Sequence, residues 1–311
     1  MEAMKGKTLF VVNLLNSNGD YWGDKIKDTL IEGKYNGVAL KVCHGKYWNG
    51  GHSKADRDRF KSEIRGLVHF YGWHWNEGYD PAGEALIACQ AIDELGLEAY
   101  MMDYEAPLKI NLAAQKIIMQ EFRQRKPNFP VGLCSYRYPS AHPQIKWADI
   151  LPFFDFHAPQ VYWQDSHNPA FQLQKSYDEL MALKNMPFIP VGAAYSEGGW
   201  QPTKDEITEF DDKCKSLKLQ GNQWFSYRGA KALGYLPRLA GLSWPIDVPE
   251  PIEPPPPVNC EAAIALAVAE VSLRYETQIE NLKIVHAADL AEAIIAANNT
   301  ALENLIKPYL L

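Results

Sequence analysis

Apolar and polar positions follow two alternating patterns along roughly the first 240 residues. Short apolar runs typical of buried strands alternate with longer segments in which apolar positions recur at helical spacing. The strand-like runs cover residues 9–15, 37–43, 66–75, 97–105, 129–138, 156–163, 188–195 and 222–227. The clearest helical segments between them are 80–95, 111–125, 168–184 and 203–217. Asp80-Pro81, Asn168-Pro169 and Thr203 are typical helix starts.

Eight strands alternating with helices predict an α/β fold, specifically a closed (β/α)₈ barrel of the TIM type. A doubly wound open sheet is the alternative. It is less favoured because that fold carries a glycine-rich phosphate loop after its first strand. Here Asn16-Ser17-Asn18-Gly19-Asp20 stands in that place.

The character of the chain changes abruptly after the predicted barrel, which we assign to residues 1–247. Residues 248–258 are a proline-rich segment that predicts a stiff linker. Residues 259–311 repeat apolar positions at helical spacing and predict an all-α, amphipathic tail with an imperfect coiled-coil heptad. Because a one-sided apolar stripe must be buried, we expect the tail to self-associate, to bind a protein partner or to fold back on the barrel.

Charge and composition narrow the classes of function. The formal net charge of −7 argues against a nucleic-acid partner. No apolar stretch is long enough to cross a bilayer, and no secretory signal is evident, so synthesis in the cytoplasm is expected. The 5 scattered cysteines and 8 scattered histidines show no metal-ligand spacing. We therefore expect neither metal nor cofactor.

The candidate catalytic residues are Asp103 and Glu105, at the end of the fourth strand-like run. Residues two apart in a strand point to the same side, so their carboxyls share one face. Cleavage of a glycosidic bond needs two carboxyls, one protonated to donate to the leaving oxygen and one ionised. Retention and inversion both stay open, because side-chain rotamers decide the separation of the carboxyls.

Aromatic and amide side chains cluster at the ends of several predicted strands, where barrel enzymes place their sites. Aromatic rings stack on the apolar faces of sugars, and polar side chains hydrogen-bond the hydroxyls. We therefore predict an open cleft for an oligosaccharide. The candidate glycan-binding residues are Asn13, His69, Tyr71, Trp73, Tyr136, Gln160, Tyr162 and Trp224.

The barrel portion resembles the lysozyme-like glycoside hydrolases of family 25, which are muramidases common in bacteriophages. The similar pieces include Asp103-Tyr104-Glu105, Ser135-Tyr136-Arg137-Tyr138-Pro139-Ser140 and Pro159-Gln160-Val161-Tyr162-Trp163, together with residues 66–71 and Gln223-Trp224. The resemblance implies that Glu105 is the general acid. It also implies that Asp103 is its partner, positioning or stabilising the reacting N-acetyl group.

Two departures from the family pattern affect the functional expectation. The family carries an aspartate at the end of the first strand, where this chain has Asn13, and only Asp165 lies near the sixth strand as a further acid. An amide cannot supply the negative charge of a carboxylate. We expect a muramidase-like enzyme that cleaves peptidoglycan strands. The alternative is a catalytically degenerate barrel that serves as a structural or glycan-binding component of a phage particle.

Overall fold

Residues 4–245 are described by a computed structural model, and their central feature is a closed barrel of eight parallel strands. These strands are β1 (Gly6–Val11), β2 (Gly37–His44), β4 (His69–Asn76), β5 (Ala99–Tyr104), β6 (Val131–Tyr136), β7 (Phe156–Val161), β8 (Val191–Ala193) and β9 (Gly221–Phe225). Strand β3 (Tyr47–Trp48) is an addition that pairs antiparallel with β2.

The barrel closes because β1 pairs in parallel with both β2 and β9, with Leu9 opposite Val38 on one side and Trp224 on the other. This closure confirms the predicted (β/α)₈ barrel, and the open-sheet alternative is wrong. The observed strand limits differ from the predicted ones by a few residues, and two strands illustrate the shift. Strand β1 begins at Gly6 and ends before Asn13, and β8 is limited to Val191–Ala193.

Helices surround the barrel between successive strands. They are α1 (Gly23–Glu32), α2 (Lys54–Ile64), α3 (Pro81–Leu95), α4 (Ala106–Ile110), α5 (Leu112–Arg125), α6 (Trp147–Ile150), α7 (Pro169–Leu183), α8 (Lys204–Ser216), α9 (Tyr227–Ala232) and α10 (Leu236–Ala240). Helix α3 begins as predicted, with Asp80 accepting a hydrogen bond from the Gly83 backbone. Thr203 and Glu206 form a reciprocal capping box at the start of α8.

Two apolar layers follow from the alternation of side chains along the strands. The larger layer lies between the sheet and the helices and includes Tyr100, Met102 and Tyr104 of β5. The smaller layer fills the barrel interior and includes Ala99 and Met101. Asp103 therefore belongs to the inward-facing set of β5, which places its carboxyl inside the barrel at the carboxyl end.

The amino end of the barrel is held by a buried cation, Lys7 of β1. Its ammonium donates hydrogen bonds to the carbonyls of Leu239 at 2.6 Å and Leu242 at 3.0 Å. The Lys7 ammonium also lies 4.6 Å from the centre of the Tyr35 ring. We call these residues the Lys7 cluster. It joins the first strand to the last helix of the described chain.

Two predicted segments lie outside the described residues: the proline-rich linker 248–258 and the amphipathic tail 259–311. The expected association of the tail stays a prediction. Among residues 4–245, no helix has both the length and the apolar character that crossing a bilayer requires.

Candidate active site

Asp103 and Glu105 meet at the carboxyl end of β5, as their spacing predicts. Asp103 is next to last in the strand, and Glu105 follows its end. The Gln160 side chain on β7 reaches across β6 and bridges the two acids. Its Nε2 donates to Asp103 Oδ1 at 2.9 Å and to Glu105 Oε1 at 2.6 Å. The structure therefore joins three of the predicted site residues in one hydrogen-bonded group.

Burial raises the pKa of both carboxyls. Asp103 is only 3% exposed, and this desolvation raises its pKa well above the usual value, with the neighbouring Glu105 charge adding to the rise. Desolvation also raises the pKa of Glu105, although hydrogen bonds from Gln160 and Asp103 oppose it. Because two adjacent ionised carboxylates repel each other, the coupled pair favours a state that holds one proton.

Lys41 of β2 supplies positive charge near the pair. Its ammonium lies 5.0 Å from the Trp73 ring centre and 5.7 Å from that of Trp75. Burial lowers the pKa of Lys41, whereas the charges of Asp103 and Glu105 raise it. Lys41 thus offsets part of the repulsion between the acids without forming an ion pair with either.

The carboxyl pair opens into a cavity of about 550 Å³. About half of its lining side chains are aromatic and most of the others are polar or charged, which suits a ring-shaped ligand with hydroxyl groups. The lining residues are Phe10, Trp73, Trp75, Asp103, Glu105, Cys134, Tyr136, Arg137, Tyr138, Ala141, His142, Gln160, Tyr162, Gln164, Tyr195, Glu197 and Phe225. Trp73, Tyr136, Gln160 and Tyr162 are thus placed around the acids, where the sequence analysis put them.

Four predicted glycan-binding residues lie outside this cavity. Tyr71 faces the barrel interior but is two residues earlier in β4 than Trp73, so it lies deeper and is 1% exposed. His69 is at the opposite end of β4, where its Nδ1 lies 2.6 Å from Glu98 Oε2. Both positions follow from the direction of the strand, which sequence clustering alone did not resolve.

Trp224 and Asn13 lie outside the cavity for different reasons. The alternation of β9 turns Trp224 outward, where its ring packs 5.3 Å from that of Phe210 on α8. Asn13 follows β1 and is half buried beside Gly51, and its Oδ1 accepts a hydrogen bond from Asn49 Nδ2 at 3.3 Å. Neither side chain lines the cavity around the carboxyl pair.

Several cavity residues were not among the predicted ones, notably Trp75, Arg137, Glu197 and the two phenylalanines Phe10 and Phe225. Trp75 carried a usable signal, because it is two residues beyond Trp73 in the same strand and so faces the same side. The phenylalanines carried none, since inward-facing apolar residues of a strand are usually core.

Comparison with solved structures finds the same barrel in several glycoside hydrolases. A chitinase from Chromobacterium violaceum matches with a TM-score of 0.58 at 10% identity, covering 76% of this chain and 98% of that one. The Bacillus cereus spore cortex-lytic enzyme SleL matches with a TM-score of 0.59 at 9% identity, covering 79% and 76%. A family 18 N-acetylglucosaminidase from Paenibacillus barengoltzii matches at 0.55 and 11% identity, covering 76% and 99%.

These matches establish the fold, a TIM barrel shared with glycoside hydrolases. The expected resemblance therefore holds at the level of that barrel, and the matches do not support family 25 specifically. No family model and no curated protein sequence matches the chain.

Proposed function

We propose that this protein is a glycoside hydrolase that cleaves glycans built from N-acetylated sugars, with peptidoglycan as its substrate. The observation that carries the proposal is the pair of adjacent buried carboxyls, both bonded to Gln160, that line an aromatic cavity. Such a pair can protonate a leaving oxygen and stabilise a developing cation at the same time. The barrel shared with chitinases and a cortex-lytic enzyme supports the same class of reaction.

Glu105 is the group placed to act as general acid. It is more exposed than Asp103 and faces the cavity, so it can reach a glycosidic oxygen. When a sugar binds, the proton of the pair moves to Glu105, which leaves Asp103 as the carboxylate. Glu105 then donates that proton as the glycosidic C–O bond breaks, and its carboxylate can next accept a proton from the attacking water.

Asp103 is too buried to attack the sugar itself. We assign it the role of orienting the N-acetyl group of the substrate, whose carbonyl oxygen attacks the anomeric carbon from within the sugar. After giving up its proton, the Asp103 carboxylate stabilises the positive charge that spreads onto the acetamido group. The Gln160 amide keeps both carboxyls in place by donating to each.

Two cations near the cavity favour an anionic glycan over neutral chitin. Among residues 4–245, neither Arg137 nor Lys109 has a carboxylate partner within ion-pair distance. Arg137 lines the cavity, and Lys109 lies 3.9 Å from the ring centre of Tyr136 and 2.8 Å from His142 Nδ1. The lactyl carboxylate of muramic acid, or its peptide, is a group that such cations bind. The finer prediction of muramidase specificity rests on the resemblance to family 25, and reducing-end analysis of the products tests it.

The experiment is wall hydrolysis by purified protein, measured as loss of turbidity and by zymogram. The wild type should degrade walls, and Glu105→Gln should lower the rate by at least about 10²-fold, since a positioned acid contributes that much or more. Glu98→Gln, at the opposite end of the barrel, is the matched control and should retain the rate. A wild type that binds walls without degrading them would overturn the proposal in favour of the glycan-binding alternative.

A further inference from the structure

The hairpin formed by β2 and β3 carries an exposed aromatic side chain beside the candidate site. Tyr47 is 65% exposed, an unusual state for a large ring in a two-residue strand. It is the register partner of His44, which in turn is opposite Trp75 on β4. Trp75 is itself opposite Asp103 on β5. Directly opposed residues of neighbouring strands project to the same face of a sheet.

Tyr47, His44 and Trp75 therefore form a row that leads across three strand steps to the buried acid Asp103. At about 4.8 Å per step, the row is about 14 Å long, which is the reach of a short oligosaccharide. Exposure increases along it, from buried Asp103 through half-buried Trp75 to exposed His44 and Tyr47. The rings of His44 and Trp75 have centres 6.3 Å apart. We call Trp75, His44 and Tyr47 the aromatic row.

The hairpin that presents the row is fixed to the barrel. Buried His74 on β4 contacts the Gly45 carbonyl through Nε2 at 2.7 Å, and the Gly45 backbone N–H donates to the Trp75 carbonyl at 2.9 Å. Lys46 pairs with Asp80 at 3.2 Å, and His44 with Glu77 at 3.2 Å. Because the hairpin backbone is held in this way, it presents its side chains at a fixed position, which lowers the entropy cost of binding a sugar.

We propose that the aromatic row is an extended binding site for the same glycan chain, taking sugar units outside the cavity on the β2–β3 side. The inference rests on the proposed function for the identity of the ligand. The proposed ligand of the row is a glycan because the row is continuous with the cavity. Trp75 belongs to the row and also lines the cavity. At its outer end the charged side chains are already paired, Lys46 with Asp80 and His44 with Glu77, so that end offers mainly ring faces and polar edges.

The test measures binding in the Glu105→Gln background, so that hydrolysis plays no part. The probes are chitooligosaccharides from the disaccharide to the hexasaccharide, followed by calorimetry. Added Tyr47→Ala should weaken hexasaccharide binding about 3- to 10-fold, the scale of one aromatic contact, and leave the disaccharide nearly unaffected. Trp75→Ala should weaken every length, because Trp75 also belongs to the cavity.

Phe171→Ala is the matched control, since Phe171 is 62% exposed but lies on α7, away from the row. It should leave the affinity for every oligosaccharide unchanged. Equal losses for short and long probes in Tyr47→Ala, or equal effects of Tyr47→Ala and Phe171→Ala, would overturn the inference. Because binding alone is measured, a wild type that fails to hydrolyse walls would defeat the proposed function without deciding this test.

Discussion

Two buried aspartates of the same barrel, Asp103 and Asp211, have carboxyl groups with very different surroundings. Asp211 on α8 is fully buried and surrounded by donors: Asn222 Nδ2 at 2.7 Å, Trp244 Nε1 at 2.6 Å and Lys215 Nζ at 2.5 Å. Asp103 is almost as buried, yet its neighbours are a second carboxyl and one amide. The first arrangement surrounds a carboxyl with a cation and neutral donors, whereas the second places it against another carboxyl and raises its pKa.

The comparison teaches which buried acid is a candidate for chemistry. An acid whose oxygens meet a cation and neutral donors stabilises the fold. An acid placed against another acid destabilises the fold when both are ionised. A pair kept at that cost is a candidate for a role in proton transfer. The following experiments test that contrast, beginning with the largest expected effect.

Asp103→Asn should lower the rate of wall hydrolysis by about 10²- to 10³-fold, because the amide cannot become the anion that faces the acetamido cation. Affinity for chitooligosaccharides should change little, since the shape of the side chain is kept. Rates per folded molecule and calorimetric binding are the measurements. If the variant keeps the wild-type rate, Asp103 takes no part in the reaction and the proposed difference in role between Asp103 and Asp211 is wrong.

Asp211→Ala should act on the fold instead, lowering the free energy of unfolding by about 2–4 kcal/mol. The change leaves the buried donors of Asn222 and Trp244 without an acceptor. Denaturant unfolding measures the loss, and the rate per folded molecule should equal that of the wild type. Asp211→Asn, which can still accept one hydrogen bond, should cost less. A loss of activity in the folded protein would show that the division of roles is wrong.

The pH dependence of stability should separate the two aspartates as well. The pKa of Asp103 in the folded protein lies above its unfolded value, so its contribution to stability is complete below about pH 4 and is lost as pH rises through the raised pKa. Asp103→Asn should therefore be more stable than the wild type above neutral pH. Thermal unfolding across pH 4–9 measures the difference, and parallel curves for the two proteins would contradict it.

Gln160→Leu should have the smallest effect, a shift in the pH profile of hydrolysis. Its amide favours the ionised form of Glu105, so its loss should raise the pKa of the pair further. The alkaline limb of the rate profile should move to higher pH, with a modest loss of maximum rate. Gln115→Leu on α5 controls for the loss of a buried amide, because the Gln115 amide bonds only backbone groups of Leu108, Gln144 and Lys146. An unmoved limb would show that Gln160 only fills space.

The barrel and its two acids could be predicted from the sequence because both depend on short-range periodicity. Apolar runs at strand spacing gave all eight barrel strands, and the two-residue spacing placed Asp103 and Glu105 on one side. Strand ends were less certain, as the early start of β1 at Gly6 shows. Pairing across the barrel defines those ends, and pairing is a long-range property.

The lining of the cavity was only partly predictable. Trp73 and Tyr71 have the same parity in β4, yet only Trp73 reaches the cavity, because depth along the barrel axis depends on strand stagger. Trp224 faces the helices because its register partner on β1 is Leu9, which belongs to the outer apolar layer. Neither stagger nor the pairing register of a strand is encoded in a local pattern. The bridge from Gln160 to both acids likewise joins residues more than fifty positions apart.

The Lys7 cluster determines when, during synthesis of the chain, the barrel can close. Lys7 leaves the ribosome early, whereas its carbonyl acceptors on Leu239 and Leu242 are synthesised more than two hundred residues later. Until β9 takes its place beside β1, the ammonium at the edge of the first strand must stay in water, since burying it alone is costly. Closure therefore waits for nearly all of the barrel. A polypeptide that terminates before Leu239 lacks both acceptors, cannot bury the Lys7 ammonium with its hydrogen bonds satisfied and becomes a substrate for cellular proteases.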